Sequence, residues 1–284
     1  MISVIVPAFN EETVIARTLG ALMDQETDIP YEVIVVANGC TDDTATIARS
    51  LARQAWPGRR LAVIETPEGS KTLALNMGDA AARFDFRFYC DADVLVGPTI
   101  IDVMARALPE MAGAVYASFT LNLAPSPSLM TRAYGRMWMR LPLLSKMPHG
   151  IGCYATNAQG LAQRGPYPEI IADDYFARLS FTPAQRMHIA GPTYQFALPD
   201  GLHELLAVRS RWSRGHAQLV ALRPDLVGNE DVGSRYEGFG FAAVRHPFDA
   251  AIFALVFAYG KLRGIWSRVS GAGRWERATR RAAG

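Results

Sequence analysis

The sequence predicts an α/β fold, a mostly parallel central sheet with helices on both faces, followed by a C-terminal helical extension. Three observations predict it. Four short apolar runs, at 2–7, 32–37, 61–65 and 86–91, alternate with stretches of helical period. These runs are apolar at nearly every position rather than at every second one, which is the pattern of strands covered on both faces. Each run also stops at a polar cluster, at 7–11, 38–42, 69–71 and 91–93 in turn, and ligands gather at such strand ends in open parallel sheets.

The first run is stopped by Pro7, and Asn10, Glu11 and Glu12 then open a helical pattern with Val14, Ile15, Leu19 and Leu22 on one face. The second halts at Asn38 and Gly39, a turn pair, and restarts as a helix through Thr41, Asp42, Asp43 and Thr44, with Ile47, Ala48 and Leu51 inward. After the third come Gly69, Ser70 and Lys71 and a helical stretch at 73–77. The fourth delivers Asp91 and Asp93, with only Ala92 between them. Acids are rarely buried without a partner, and a hard divalent cation takes several oxygen ligands, so Asp91 and Asp93 are the candidate metal ligands. The alternative for the same tripeptide is a solvated turn or a helix cap. Downstream, 98–108 reads as a helix and 114–119 as a strand. The stretch 125–148 carries Met130, Tyr134, Met137, Trp138, Met139 and Met147. It is either a helix facing acceptor or lipid, or core in which Met fills irregular gaps.

Composition narrows the class. With 284 residues, 50% hydrophobic and 20% charged, the chain can bury a large core. A formal net charge of +2 is too small to argue for nucleic acid, although basic residues collect at 261–281. Cys40, Cys90 and Cys153 are odd in number and show no Cys-x-x-Cys spacing, and 1–9 shows no secretory leader. A reducing, cytoplasmic setting is the expectation.

Four blocks in order carry a resemblance: residues 4–12, then 35–42, then Gly69, Ser70 and Lys71 with Ala74, Leu75 and Asn76, then Asp91, Ala92 and Asp93. Together they resemble a family 2 glycosyltransferase. The resemblance implies a GT-A fold and transfer of a sugar from a nucleoside diphosphate donor with inversion at the anomeric carbon, assisted by a divalent metal, Mn or Mg. It assigns Pro7, Phe9 and Glu11 to the loop lining base and ribose, Asn38 to the block that reads the base, and Lys71 to the diphosphate side. Asp93 becomes a direct metal ligand, and Asp91 a contact to metal or donor ribose. A buried aromatic and an Asn-Gly turn explain Phe9 and Asn38 equally without a ligand. Many relatives carry two acids where this chain has Ala37 and Asn38, which leaves the base open between UDP- and GDP-linked donors.

The later blocks extend the likeness. Residues 150–157 resemble the short strand and turn that precede the acceptor site, beside which His149 reads as a structural or substrate-side histidine. Asp173 and Asp174 enter a helix, and by residue chemistry alone they are a cap and a first-turn acid. The resemblance makes Asp174 the catalytic base, with Asp173 in the place of the usual Glu. Residues 208–215 resemble the Gln/Arg-x-x-Arg-Trp block of processive members, but Val208 holds its first position, so long-polymer synthesis is not expected. Arg211, with Arg214 and His216, either faces diphosphate or acceptor or lies on a solvated or membrane-side face.

The stretch 247–262 is very apolar yet short of the about 20 residues that a membrane-crossing helix needs. Followed by Lys261, Arg263, Trp266, Arg268, Arg274, Trp275, Arg277, Arg280 and Arg281, it suits an interfacial helix with a basic flank. A helix docked on the domain or on a second subunit fits equally. The expected organisation is a GT-A domain at 1–222, divided into a nucleotide-sugar half at 1–97 and an acceptor half at 98–222, with an extension at 223–284. The expected partners are the donor, a hydroxyl acceptor such as a glycan or lipid, and an anionic membrane surface on the inner face. A sugar nucleotidyltransferase lacks support because residues 7–10 form no glycine-rich phosphate loop. A silent nucleotide-binding or membrane-scaffolding module would not need Asp91, Asp93 and Asp174 together.

Overall fold

The computed structural model describes residues 1–54, 56–145, 147–231 and 236–270. In chain order the elements are β1 (Ile2–Ala8), α1 (Ile15–Met23), β2 (Tyr31–Asn38), α2 (Thr44–Ala52), β3 (Arg59–Thr66), α3 (Lys71–Ala81), β4 (Phe86–Cys90), β5 (Leu95–Val96), α4 (Ile100–Ala107), β6 (Tyr116–Leu123), α5 (Leu129–Met139), α6 (Pro142–Ser145), β7 (Cys153–Thr156), α7 (Ala158–Arg164), α8 (Asp173–Leu179), β8 (Arg186–Phe196), α9 (Leu202–Leu222), α10 (Phe239–Arg245) and α11 (Pro247–Ser270). Two compact units form. The first takes Met1–Asn122, Pro148–Glu169 and Ser180–Phe196; the second takes Leu123–Met147, Ile170–Leu179 and the described part of Ala197–Gly284.

The first unit holds an eight-stranded sheet in the order β3-β2-β1-β4-β7-β6-β8-β5. β1 runs parallel to both β2 and β4, and β2 parallel to β3, so the expected parallel sheet is present on that side. Beyond β4 the pairings of β7 with β4 and with β6, and of β5 with β8, are antiparallel. β1 and β2 are buried at every position, as their predominantly apolar runs require, with Ser3, Glu32 and Asn38 buried among them. β3 lies at the edge and is mostly half-buried, with Leu61 buried and Arg60 and Glu65 exposed. The strand order reverses at β1: the chain steps to β2 and β3 on one side, then crosses to β4 on the other. In open α/β sheets such a switch point is where the crevice for a ligand forms.

Boundaries differ locally from the expectation. α1 begins at Ile15, because Asn10 takes a left-handed conformation with φ 52° and the chain turns before the helix starts. In α2, Ala45 and Ala48 are buried, whereas Ile47 and Leu51 are half-buried.

Glu32 of β2 is a buried acid with a complete set of donors. Ser3 Oγ at 2.7 Å, the Arg83 backbone N–H at 2.7 Å and Arg60 Nη1 at 2.8 Å all reach it. Burial pushes its pKa up, but the Arg83 N–H, the Ser3 hydroxyl and Arg60 outweigh that and hold the carboxyl below the ordinary glutamate value. A depressed folded pKa gives stability that is present above the unfolded value and is lost as pH falls through the folded one. Glu32→Ala is expected to cost about 2–3 kcal/mol at neutral pH by stranding buried donors. The deficit should shrink in acid, as melting temperatures of both proteins measured from pH 7 downward will show.

In the second unit, Tyr134, Met137 and Trp138 of α5 are buried, so this part of the Met-rich stretch is core. α11 packs on α5 and α9 through Ala250, Phe253 and Val256, with the Tyr134 and Phe253 rings stacked 5.3 Å apart. Asp249 is buried and held by Arg136 at 2.6 Å and Arg140 at 3.3 Å. The hydrogen bonds from Arg136 lower its pKa against the cost of burial. One face of α11 is therefore docked inside its own unit. No helix among the described residues is long and apolar enough to cross a membrane. Arg274, Trp275, Arg277, Arg280 and Arg281 of the basic flank lie outside the described residues.

Candidate functional site

The polar strand ends of the first unit are stitched to one another. After β1, Asn10 Oδ1 accepts the Thr41 N–H at 2.7 Å, and the Glu11 N–H donates to Thr44 Oγ1 at 2.6 Å. Asp42 accepts from the Thr44 hydroxyl at 2.6 Å and from the Glu12 N–H at 3.2 Å. Burial raises the Asp42 pKa, but these donors outweigh it and hold the carboxyl below the ordinary range. Asn10, expected to start a helix, instead ties the β1 loop to the β2 loop.

Pro7 is buried at the end of β1, and Phe9 and Glu11 are half-buried beyond it. Gly39 has φ +62°, and a Cβ there would stand 2.7 Å from the backbone of Gly69. Only glycine allows both that conformation and that approach. A Cβ on Gly69 would in turn meet the Phe9 ring at 3.2 Å. The loops after β1, β2 and β3 thus converge on one floor built from Phe9, Gly39 and Gly69. Asn38 is buried beside it, and its Nδ2 donates to the carbonyls of Ala8 at 2.8 Å and Val36 at 3.4 Å.

Ser70 caps α3, accepting the Leu73 N–H, and so presents Lys71 at the first turn. Lys71 Nζ lies 2.7 Å from Asp91 Oδ1, both groups partly exposed. Alternation past β4 sends Ala92 and Val94 into the core and leaves Asp91 and Asp93 half-exposed. The Asp91 backbone is itself fixed, its N–H donating to Gly152 O at 2.8 Å. The two carboxylates offer hard oxygen donors of the kind that suits Mg or Mn. Among the described residues no group of three or more His, Cys, Asp or Glu side chains forms a metal cluster.

The structure adds supporting residues that sequence reasoning had not assigned. Asn76 exchanges two hydrogen bonds with the Tyr167 backbone, at 2.9 and 2.8 Å. Arg164, buried between the Tyr167 and Tyr89 rings, reaches Asp79 Oδ2 at 2.6 Å, and Tyr89 donates to Asp79 Oδ1 at 2.7 Å. This network anchors β4 immediately before Asp91. Its only trace in the sequence is the isolated Asn and Asp on the α3 pattern.

In the second unit, Asp173 is 6% exposed at the start of α8 and Asp174 is half-exposed, with its Oδ1 accepting the Tyr175 N–H at 2.7 Å. α8 is braced from several sides. Arg178 pairs with Glu230 at 2.9 Å and with Asp231, Tyr175 OH contacts Glu230, and Asn229 Nδ2 donates to Leu179 O at 2.8 Å. The Tyr175 ring stacks on His216 at 4.0 Å, and Gln218 accepts the Ile171 N–H at 3.0 Å. α9 approaches so closely that a Cβ on Gly215 would be 2.9 Å from Ala172 Cβ. Arg211 and Arg214 are half-buried on α9, one turn or less before that contact. The acidic pair Glu230 and Asp231 was a readable signal that sequence reasoning passed over. His149 is buried at 2% exposure in the first unit.

Comparison with known proteins bears on this geometry. A hyaluronan synthase of Pasteurella multocida is 31% identical over 109 residues, which is 38% of this chain and 11% of the synthase, so the chain spans about a tenth of that relative. Among solved structures, the mannosyltransferase PcManGT from Pyrobaculum calidifontis, in complex with GDP-Man and Mn2+, superposes with a TM-score of 0.59 at 22% identity over 95% of this chain and 76% of that one. S. aureus TarS 1-349 in complex with UDP gives 0.53 at 16% identity, over 95% and 92%. At such identities these two likenesses establish the GT-A fold. The profile described as "Glycosyl transferase family 2" matches residues 3–159, a span that contains all four polar strand ends, from Pro7 to Asp93. By that match, the chain belongs to glycosyl transferase family 2 and is a glycosyltransferase.

Proposed function

We propose that the chain is an inverting, metal-assisted transferase that moves a sugar from a UDP- or GDP-linked donor to a hydroxyl acceptor, glycan or lipid-linked. Its setting in this reading is cell-envelope or polysaccharide biosynthesis, on the cytoplasmic side. The observation that carries the reading is the convergence of the first three βα loops on the Phe9–Gly39–Gly69 floor at the sheet's switch point, with the Lys71–Asp91 pair at the ends of α3 and β4. Structures bound to GDP-Man and Mn2+ and to UDP belong to the fold neighbours and support a nucleotide-sugar donor here.

Each residue then has a task. Phe9 and the glycine floor give the base an apolar face, and Pro7 and Glu11 shape the loop over the ribose. Lys71 supplies positive charge toward the diphosphate, and Arg211 supplies a second such charge. Asp93 and Asp91 would hold the divalent cation, Mn or Mg, which when bound offsets the charge that develops on the leaving diphosphate. Asp174 takes the proton of the acceptor hydroxyl as that oxygen attacks the anomeric carbon, and Asp173 supports it.

Asn38 narrows the base. Its Nδ2 is committed to two carbonyls, so the end that can meet a base is Oδ1, an acceptor. Uracil and guanine would meet that acceptor with a ring N–H, whereas cytosine and adenine can meet it only with an exocyclic amine on another part of the base edge. Calorimetric titration with UDP, GDP, CDP and ADP should show UDP or GDP binding tighter than CDP and ADP. Tightest binding of CDP or ADP would refute the base assignment, and no binding of any nucleotide would refute the donor reading as a whole.

A further inference from the structure

α11 is apolar on both of its faces. Ala250, Phe253, Val256 and Gly260 are buried against α5 and α9. The other face exposes Phe248, Ala251, Leu255, Ala258, Tyr259 and Leu262, with Ile252 half-exposed between them. These positions follow the helical period, and none is polar apart from the Tyr259 hydroxyl. Between 248 and 262 the charged residues are Asp249, which is buried, and Lys261. α10 adds Phe241 at 67% and Val244 at 83% exposure. A water-facing helix surface is normally polar, and a contiguous apolar one marks an interaction site.

The charges around this face identify the partner. Arg245, Lys261 and Arg263 are exposed beside it. From 261 to 284 the sequence has seven Lys or Arg and one Glu, several of them outside the described residues. A second copy docking through the same face by two-fold symmetry would bring this basic cluster against itself. An anionic lipid surface would neutralise it while its acyl boundary receives the apolar side chains. We propose that α10 and α11 form an interfacial surface that seats the second unit on an anionic bilayer without crossing it, a role separate from donor chemistry.

Co-sedimentation of the full chain with phosphatidylcholine vesicles, with and without phosphatidylglycerol, tests this. Binding is expected to the anionic vesicles and to weaken with salt. Leu255→Ser/Leu262→Ser should lower partitioning on the order of tenfold or more, since two exposed leucines no longer insert. Lys261→Glu/Arg263→Glu should lower it by at least about fivefold per charge. Leu255 and Leu262 are exposed, so the melting temperature of that variant should hold, and nucleotide binding should be unchanged in both. Equal failure of the wild type with both vesicle types would overturn the proposal. So would light scattering that shows a dimer converted to monomer by Leu255→Ser/Leu262→Ser, because the face would then belong to a second copy.

Discussion

Asp174→Asn is expected to lower turnover by about 10²-fold or more while donor affinity and melting temperature change little, since loss of general-base help falls in that range. The amide keeps the size of the carboxylate and still accepts the Tyr175 N–H that Asp174 Oδ1 accepts at 2.7 Å. It cannot take a proton from a hydroxyl. The helix does not depend on this one group: Arg178 binds Glu230 and Asp231, Asn229 holds the Leu179 carbonyl, and His216 stacks on Tyr175. Stability and catalysis can therefore be read apart. Asp173→Asn should cost less in turnover, in keeping with a supporting role. If Asp174→Asn unfolds the protein or leaves transfer intact, the pair is a cap, and His216 and His149 become the groups to test as base.

Asp93→Ala is expected to reduce turnover by about 10²- to 10³-fold, the several kcal/mol that a cation contributes where charge develops on a leaving phosphate. Asp93 and Asp91 leave the core at the end of β4 while Ala92 and Val94 enter it, so removing the Asp93 carboxylate opens no cavity. Asp91 faces Lys71 at 2.7 Å. Asp91→Ala should disturb both metal and diphosphate contacts, because it also releases Lys71. Steady-state rates across a manganese titration check this: an Asp93→Ala enzyme with an unchanged rate and an unchanged metal requirement would remove Asp93 from the site.

The nucleotide-binding half was legible because local chemistry decided it. β1, β2 and β4 are predominantly apolar runs, and each stops where Pro7, Asn38 and Gly39, or Asp91 breaks the pattern. Those same stops are the strand ends that converge, so reading strands also located the candidate site. The far side of the sheet was not legible to the same degree. β7 inserts between β4 and β6, and β8 pairs with β5, with long sequence separations that no local pattern encodes. β8 also contains Gly191 and Pro192, residues depleted in strands, which mask it as one. The bracing of α8 escaped notice for a related reason. Glu230 and Asp231 lie more than fifty residues from Arg178, and only the fold brings them together. α11 read as apolar, but sequence alone left open which of its faces was docked and which was exposed.

A strand-end site around Lys71, Asp91 and Asp93 that cleaves a nucleotide sugar with the help of a divalent cation must release the nucleoside diphosphate. The decisive measurement is release of nucleoside diphosphate from UDP- and GDP-hexoses by the full chain, first in manganese and then in excess EDTA. Release from at least one donor is expected, abolished by EDTA and restored when manganese or magnesium is added back. Release that proceeds unchanged in EDTA, or no release from any donor in manganese, would contradict it.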